Sequence, residues 1–203
     1  MNKLKEEHYL LWKMTWPEVK TLLTRTNIVL MPVGSTEQHG PHLPIDTDSY
    51  ICYETCRRTV EVVHDRAGVV IPIAPPVPYG MSAHHMAFPG TITLKGQTLV
   101  SLIEDIGTSL AQHGFKKIVI VNSHGGNLPY CDAAARSIKF QRKAHASVVS
   151  PYQFATDIFQ RLRESERLGV GHACESETSR YWALGGRVLV DKMAVSFPRF
   201  GMP

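Results

Sequence analysis

The stretch "IVLMPVGSTEQHGPHLPIDTD" (residues 28–48) changes character at Gly34. Its first six residues form a continuous apolar run, too short for a helix and continuous enough for a strand buried on both faces. The remainder crowds Glu37, His39, His42, Asp46 and Asp48 into a segment punctuated by Gly40, Pro41 and Pro44, too rich in turn formers to be a regular helix or strand. A buried strand that runs directly into a ligand-rich loop suits an open α/β sheet, in which ligands bind beyond the carboxyl ends of the strands.

Outward from this stretch the same alternation continues. "VVIPIA" (69–74), "IVIVN" (118–122) and "ASVVS" (146–150) read as further core strands. Between them Leu99, Leu102, Ile103, Ile106 and Leu110 recur at helical spacing up to a C-cap at Gly114, and "LPYCDAAARSIKFQRKA" follows the third strand as a helix with a proline in its first turn. The fold class expected is α/β, three-layered, with a mostly parallel central sheet flanked by helices and right-handed crossovers. No repeat or linker divides the chain, so residues 1–203 are expected to form a single domain. Residues 74–97, rich in proline and glycine and without periodicity, suit a structured loop folded over something.

The chain has 43% hydrophobic and 20% charged residues, as ordinary globular proteins do. Its 22 basic and 18 acidic residues are scattered, without the basic block or basic helix that a nucleic-acid footprint requires. No apolar run approaches the roughly 18 residues of a membrane span. The expectation is a cytoplasmic protein with a small-molecule substrate and neither nucleic acid nor membrane as partner. Cys52, Cys56, Cys131 and Cys174 are too few for a disulfide framework, and the Cys52/Cys56 spacing suits one face of a helix.

Glu37, His39 and His124 all fall just past the ends of expected core strands, His124 within "NSHGGN", so two ligand-rich loops point to one edge of the sheet. Glu37 and His39 share a face of an extended backbone, and the Gly40-Pro41 turn allows Asp48 to join them. Carboxylate and imidazole suit Zn, Mn or Fe, and the two oxygens of a carboxylate such as Asp48 can bridge two ions. Gly125 and Gly126 remove side chains where substrate or metal must approach the backbone. "GHACESETS" (171–179) adds His172, Glu175 and Glu177, enough to complete a site for two divalent ions. Glu177 could equally open a helix or orient a ligand from behind. His42, Asp46, His64, His113 and His145 are assigned structural or surface roles. No nucleophile elbow, phosphate loop or dinucleotide fingerprint is present, and Ser123 has no obvious separate base.

"GSTEQHGPHLPIDTD", "HHMAFPGTITL", "VNSHGGN" and "HACESETS", in that order, resemble the motifs of the creatininase (creatinine amidohydrolase) family, and the resemblance spans about residues 15–180. It implies an α/β hydrolase with two divalent metal ions, Zn, Mn or Fe, that cleaves C–N bonds of cyclic amides or formamides, usually as a homo-hexamer. Carried over by position, Glu37 and His124 are terminal ligands of one ion, His39 a ligand of the other, Asp48 the bridge and His172 the catalytic histidine. Creatininase proper has a carboxylate two positions beyond the histidine of the third-strand loop, where this chain has Gly126. Glu175 and Glu177 compete for the roles of last ligand and of orienting or basic carboxylate, with Glu175 favoured as the substitute ligand and Glu177 as the catalytic carboxylate. The departure points away from creatinine toward deformylation of a pyrimidine formamide, peptide processing in redox-cofactor biosynthesis or ring opening of a keto-inositol. His85, in the covering loop, is a candidate substrate contact together with Ser123, Gly125 and Gly126. The ending "RFGMP" comes soon after the last motif, so substrate groups from a C-terminal segment or a neighbouring subunit are expected to be missing or different. Ester or C–C hydrolysis on the same centre, and a metal-binding scaffold without turnover, are the competing classes.

Overall fold

A computed structural model describes residues 4–165 and 171–194, so "RFGMP" lies outside the described residues. Strands β1 (Ile28–Val33), β2 (Lys117–Asn122) and β3 (His145–Val149) form a parallel sheet in the order β1-β2-β3. The register pairs Ile28 with Lys117 through Val33 with Asn122, and Lys117 with His145 through Val121 with Val149. Six helices accompany it among the described residues: α1 (Trp16–Leu22), α2 (Thr47–Ala67), α3 (Gly96–His113), α4 (Leu128–Arg142), α5 (Tyr152–Leu162) and α6 (Glu175–Ala183).

The period of two along the strands sorts side chains into the two faces of the sheet. Val29, Met31 and Val33 of β1 with Ile118 and Ile120 of β2 join Leu99 and Ile103 of α3 and Cys131, Ala134, Ala135 and Ile138 of α4 in one core. Leu30 and Val121 point the other way, onto Cys52, Cys56 and Val60 of α2. Helix, sheet and helix thus make the expected three layers, and each fully buried aliphatic side chain contributes about 1.5–3 kcal/mol. Leu102, on the flank of the α3 stripe, faces solvent.

"VVIPIA" is a correction. The segment lies parallel to β1 but meets it only at isolated bridges, Ile73 opposite Leu30 and Val77 opposite Val33. Pro72, Pro75, Pro76 and Pro78 have no N–H to donate, so a continuous ladder cannot form. What pairing survives uses the remaining donors: Ala74 N–H to the Leu30 carbonyl at 2.8 Å and Val77 N–H to that of Pro32 at 2.9 Å. The apolar run keeps the segment against the core, while its prolines keep it from being a strand.

Two connections then shape the site edge. The β1 strand exits at Val33 into residues 34–46 and returns as α2, which places Asp48 in the first turn of that helix. The β2 strand exits at Asn122 and enters α4 through a short 3-10 turn at Gly125–Asn127, with Pro129 in the helix's first turn. Asn127 ties these to the covering loop: its Oδ1 accepts from Met81 N–H and its Nδ2 donates to the Gly34 carbonyl, both at 2.9 Å.

Candidate metal centre

Glu37 and His39 come from the loop after β1, Asp48 from the N-terminus of α2, His124 from just beyond β2 and Glu177 from the first turn of α6. All five are buried, Glu37 and His39 completely. The loop reverses at Gly40, whose φ of +67° is natural for glycine, and antiparallel contacts then run back along it, His39 to Leu43 and Glu37 N–H to the Ile45 carbonyl at 3.0 Å.

The two oxygens of Asp48 face two different histidines. Oδ1 is 3.4 Å from His39 Nε2 and Oδ2 is 3.1 Å from His124 Nδ1. Glu37 Oε1 stands 3.2 Å from the same His124 nitrogen, and Glu177 Oε2 stands 3.9 Å from His39 Nε2. Two donor sets therefore share one carboxylate: Glu37, His124 and Asp48, and His39, Glu177 and Asp48. Donor atoms about 2.0–2.2 Å from one tetrahedral ion lie roughly 3.3–3.6 Å apart, close to most of these separations.

The other ring nitrogens decide which way the histidines present themselves. His39 Nδ1 lies 3.1 Å from the Glu37 carbonyl and His124 Nε2 lies 3.0 Å from the Met81 carbonyl, contacts that call for N–H at those atoms. The inward nitrogens are then lone pairs facing carboxylate oxygens, a repulsive arrangement unless a cation lies between them. Glu37 Oε1, His39 Nε2 and Asp48 Oδ2 are buried without a hydrogen-bond partner among the described residues. An unsatisfied buried polar atom costs about 1–3 kcal/mol, more when charged, so three of them converging are explained by bound cations and poorly by packing. The residues present fit divalent metal ions.

Left to protons alone, the cluster draws in positive charge. Burial would lower the His39 and His124 pKa values, but the facing Asp48 carboxylate, which a proton on the inward nitrogen would bond, outweighs it, lifting His39 to about 9 and, with Glu37 adding, His124 to about 10. Burial would raise Asp48, yet the two histidines hold it at about 2, and Glu37 is likewise held low by His124 against its burial. Glu177 is raised by burial, which the charge of His39 only partly offsets.

Not every expected residue reaches the cluster. Glu175, expected as the last ligand, turns outward and accepts the backbone N–H groups of Glu164 and Ser165 at 2.8 and 2.9 Å. Helix α6 begins at Glu175, and two residues along a helix are about 200° apart, so Glu175 and Glu177 point to opposite sides. Glu177 is the one facing His39, held by Tyr152 Oη at 2.8 Å on Oε1 and by Ala173 N–H at 2.6 Å on Oε2. Glu177→Gln is expected to lower the bound metal from about two ions per chain toward one, while Glu175→Gln leaves it unchanged. Elemental analysis of the two variants side by side separates these outcomes.

His172 sits at the mouth, its side chain 31% exposed, with Nδ1 3.4 Å from Glu37 Oε1. Burial of the ring, with the positive charge of His39 adding, pushes its pKa down to about 4. His85 also comes to the cluster, with Nε2 3.7 Å from Glu37 Oε1. The Ser123 hydroxyl, next to His124, is buried without a hydrogen-bond partner among the described residues. Gly125 is exposed, with open space where a Cβ would stand. Gly126 leaves room for the bond that orients the His124 ring, because a Cβ there would lie 2.5 Å from His124 Nε2 and 2.6 Å from the Met81 carbonyl oxygen. Gly126→Ala should therefore weaken metal binding by about 10–100-fold, as loss of a ligand's supporting hydrogen bond commonly does, measurable by chelator competition.

Three participants lay outside the expected set: Gln38, Tyr152 and the Met81 carbonyl. Gln38 stands between two expected ligands in the opening motif, a position that could have marked it. Tyr152 is a lone aromatic with no motif, and a carbonyl leaves no trace in residue type. His42 and Asp46 do have structural partners, Thr178 Oγ1 at 2.9 Å and Tyr181 Oη at 2.9 Å, tying the motif loop to α6.

The family model of creatininase (creatinine amidohydrolase) matches residues 12–199. The chain belongs to the creatininase family. Among its relatives is the mycofactocin precursor peptide peptidase of Mycolicibacterium smegmatis, 43% identical over 114 residues that make up 56% of this chain and 46% of that protein. The creatinine amidohydrolase of Pseudomonas putida is 31% identical over 188 residues, 85% of this chain and 70% of that one. A solved structure described as creatininase Mn superposes with a TM-score of 0.79 at 29% identity, covering 96% of this chain and 79% of that one. The matches to the mycofactocin peptidases span less than half of those proteins' length. The creatininase fold of this chain thus carries a parallel sheet with helices on both faces, as expected. Among the described residues no helix is long and apolar enough to cross a membrane.

Proposed function

We propose that this creatininase-family protein is a hydrolase that uses two divalent ions to cleave a C–N bond of a small cyclic amide or formamide. The observation that carries the reading is the pair of Asp48 oxygens aimed at two histidines of different loops. Glu37, His124 and Asp48 would hold one ion and His39, Glu177 and Asp48 the other, with Zn, Mn and Fe all suited to the donors. When bound, such ions polarise a carbonyl and bring the pKa of coordinated water from about 15.7 to about 7.

The chain's own groups supply the rest. His172 is neutral near pH 7 and stands at the mouth beside Glu37, where its site-side nitrogen can take a proton and deliver it to the leaving nitrogen as the C–N bond opens. Both oxygens of Glu177 are engaged, one by Tyr152 and one by Ala173, which suits a fixed ligand better than a group that must move a proton. We assign substrate contact to His85, which reaches Glu37, and to Phe88 and Met86, exposed in the same segment of chain. We take the working form to be a cytoplasmic homo-oligomer, a hexamer by family resemblance.

A second reading makes the substrate a peptide amide, favoured by the 43% identity to a peptide peptidase. One screen tests both: protein reconstituted with Mn or Zn, offered formamides, lactams, keto-cyclitols and short peptides, with products followed by mass spectrometry. Turnover of an amide that stops on chelation and returns with metal supports the proposal, and the class of amide chooses between the readings. Turnover insensitive to chelation, or confined to a C–C or ester bond, overturns it.

A further inference from the structure

His172 Nε2, the ring nitrogen turned away from the metal ligands, has two partners of opposite kind, and both belong to Gln38. The side-chain Nε2 of Gln38 is 2.8 Å away and its backbone carbonyl oxygen is 2.5 Å away. The first can only donate and the second can only accept. Which end of the Gln38 amide faces the ring is settled by its other end, because Oε1 accepts Gly40 N–H at 2.9 Å. The same amide nitrogen lies 3.0 Å from His85 Nδ1, and the His85 and His172 rings stack with centroids 4.2 Å apart.

A bare Nε2 accepts from the Gln38 amide, and a protonated Nε2 donates to the Gln38 carbonyl, with the ring in one place throughout. A ring offered only a donor or only an acceptor would have to turn, or lose a hydrogen bond, whenever its proton changed nitrogen. We infer that Gln38 is a positioning residue that holds the His172 imidazole over Glu37, beside His85, whichever ring nitrogen carries the proton. The inference deepens the proposed function, since a group that moves a proton at a metal centre gains from such a cradle, but the cradle can be tested without turnover.

The test is two-bond 1H–15N correlation NMR on 15N-histidine-labelled protein loaded with diamagnetic zinc, comparing wild type with Gln38→Leu. The His172 signals are assigned by their loss in His172→Gln, and zinc content is measured on every sample. In wild type, Nε2 of His172 should resonate between the protonated and bare extremes, as both tautomers are sampled in one ring position. Gln38→Leu removes the donor and leaves the carbonyl, so the Nε2 signal should move to the protonated extreme, with the His39 and His124 signals and zinc content unchanged. A His172 pattern identical in the two proteins overturns the inference. So does a change that spreads to His39 and His124 with loss of zinc, which would make Gln38 a general structural support. If wild type takes up no zinc, the metal reading fails separately, and the same comparison on metal-free protein still decides the role of Gln38.

Discussion

Asp48→Asn is expected to remove both ions together and to lower turnover to below about one-thousandth of wild type. The substitution keeps the size of the side chain and its place in the first turn of α2, so the fold has no reason to change. What it loses is the second oxygen and the charge, and each of the two donor sets depends on an Asp48 oxygen. An amide can present one oxygen to one ion, and its NH2 end would face a histidine lone pair. Substitution of a terminal group such as Glu177 touches only one set. A metal count that falls further in Asp48→Asn than in Glu177→Gln therefore distinguishes a shared carboxylate from two independent sites. Equal losses in the two variants would contradict the bridging role.

His172→Gln is expected to do the opposite: both ions remain and turnover falls by about 10²–10⁴-fold, the usual range for removing a general acid or base. The ring lies at the mouth, partly exposed, and its nearest ligand contact is Glu37 at 3.4 Å. The measurement is a metal count and a turnover number on the same sample, using whichever amide the screen identifies. Retention of full turnover would remove His172 from the proton path and leave His85, 3.7 Å from the same Glu37 oxygen, as the next group to test.

Much of this was legible in the residues. The runs at 28–33, 118–122 and 146–150 became strands, and Pro32 does not break the β1–β2 ladder because its missing N–H falls on the same edge as the Leu30 N–H, which donates to the Pro72 carbonyl on the other side. The run at 69–74 has the same apolar character and failed as a strand, since hydrophobicity sets burial whereas a ladder needs donors that proline lacks. The convergence of Glu37, His39, Asp48 and His124 was readable from their positions after strands. Resemblance alone favours Glu175 as the last ligand; α6 begins at Glu175 itself, two residues along a helix lie on opposite sides, and it is Glu177 that faces His39. Tyr152 could not be singled out because only its contact with Glu177 marks it, whereas Gln38, which touches His172 across the chain, had a signal in its place between two expected ligands.

The most direct test of the central claim is elemental mass spectrometry on the purified wild-type chain, before and after reconstitution with Zn or Mn. Two buried, histidine-bearing donor sets joined at Asp48 predict about two divalent transition-metal ions per chain, displaced by a strong chelator and restored on adding metal back. A chain that is metal-free as purified and takes up neither ion on reconstitution would contradict the binuclear centre and everything built on it.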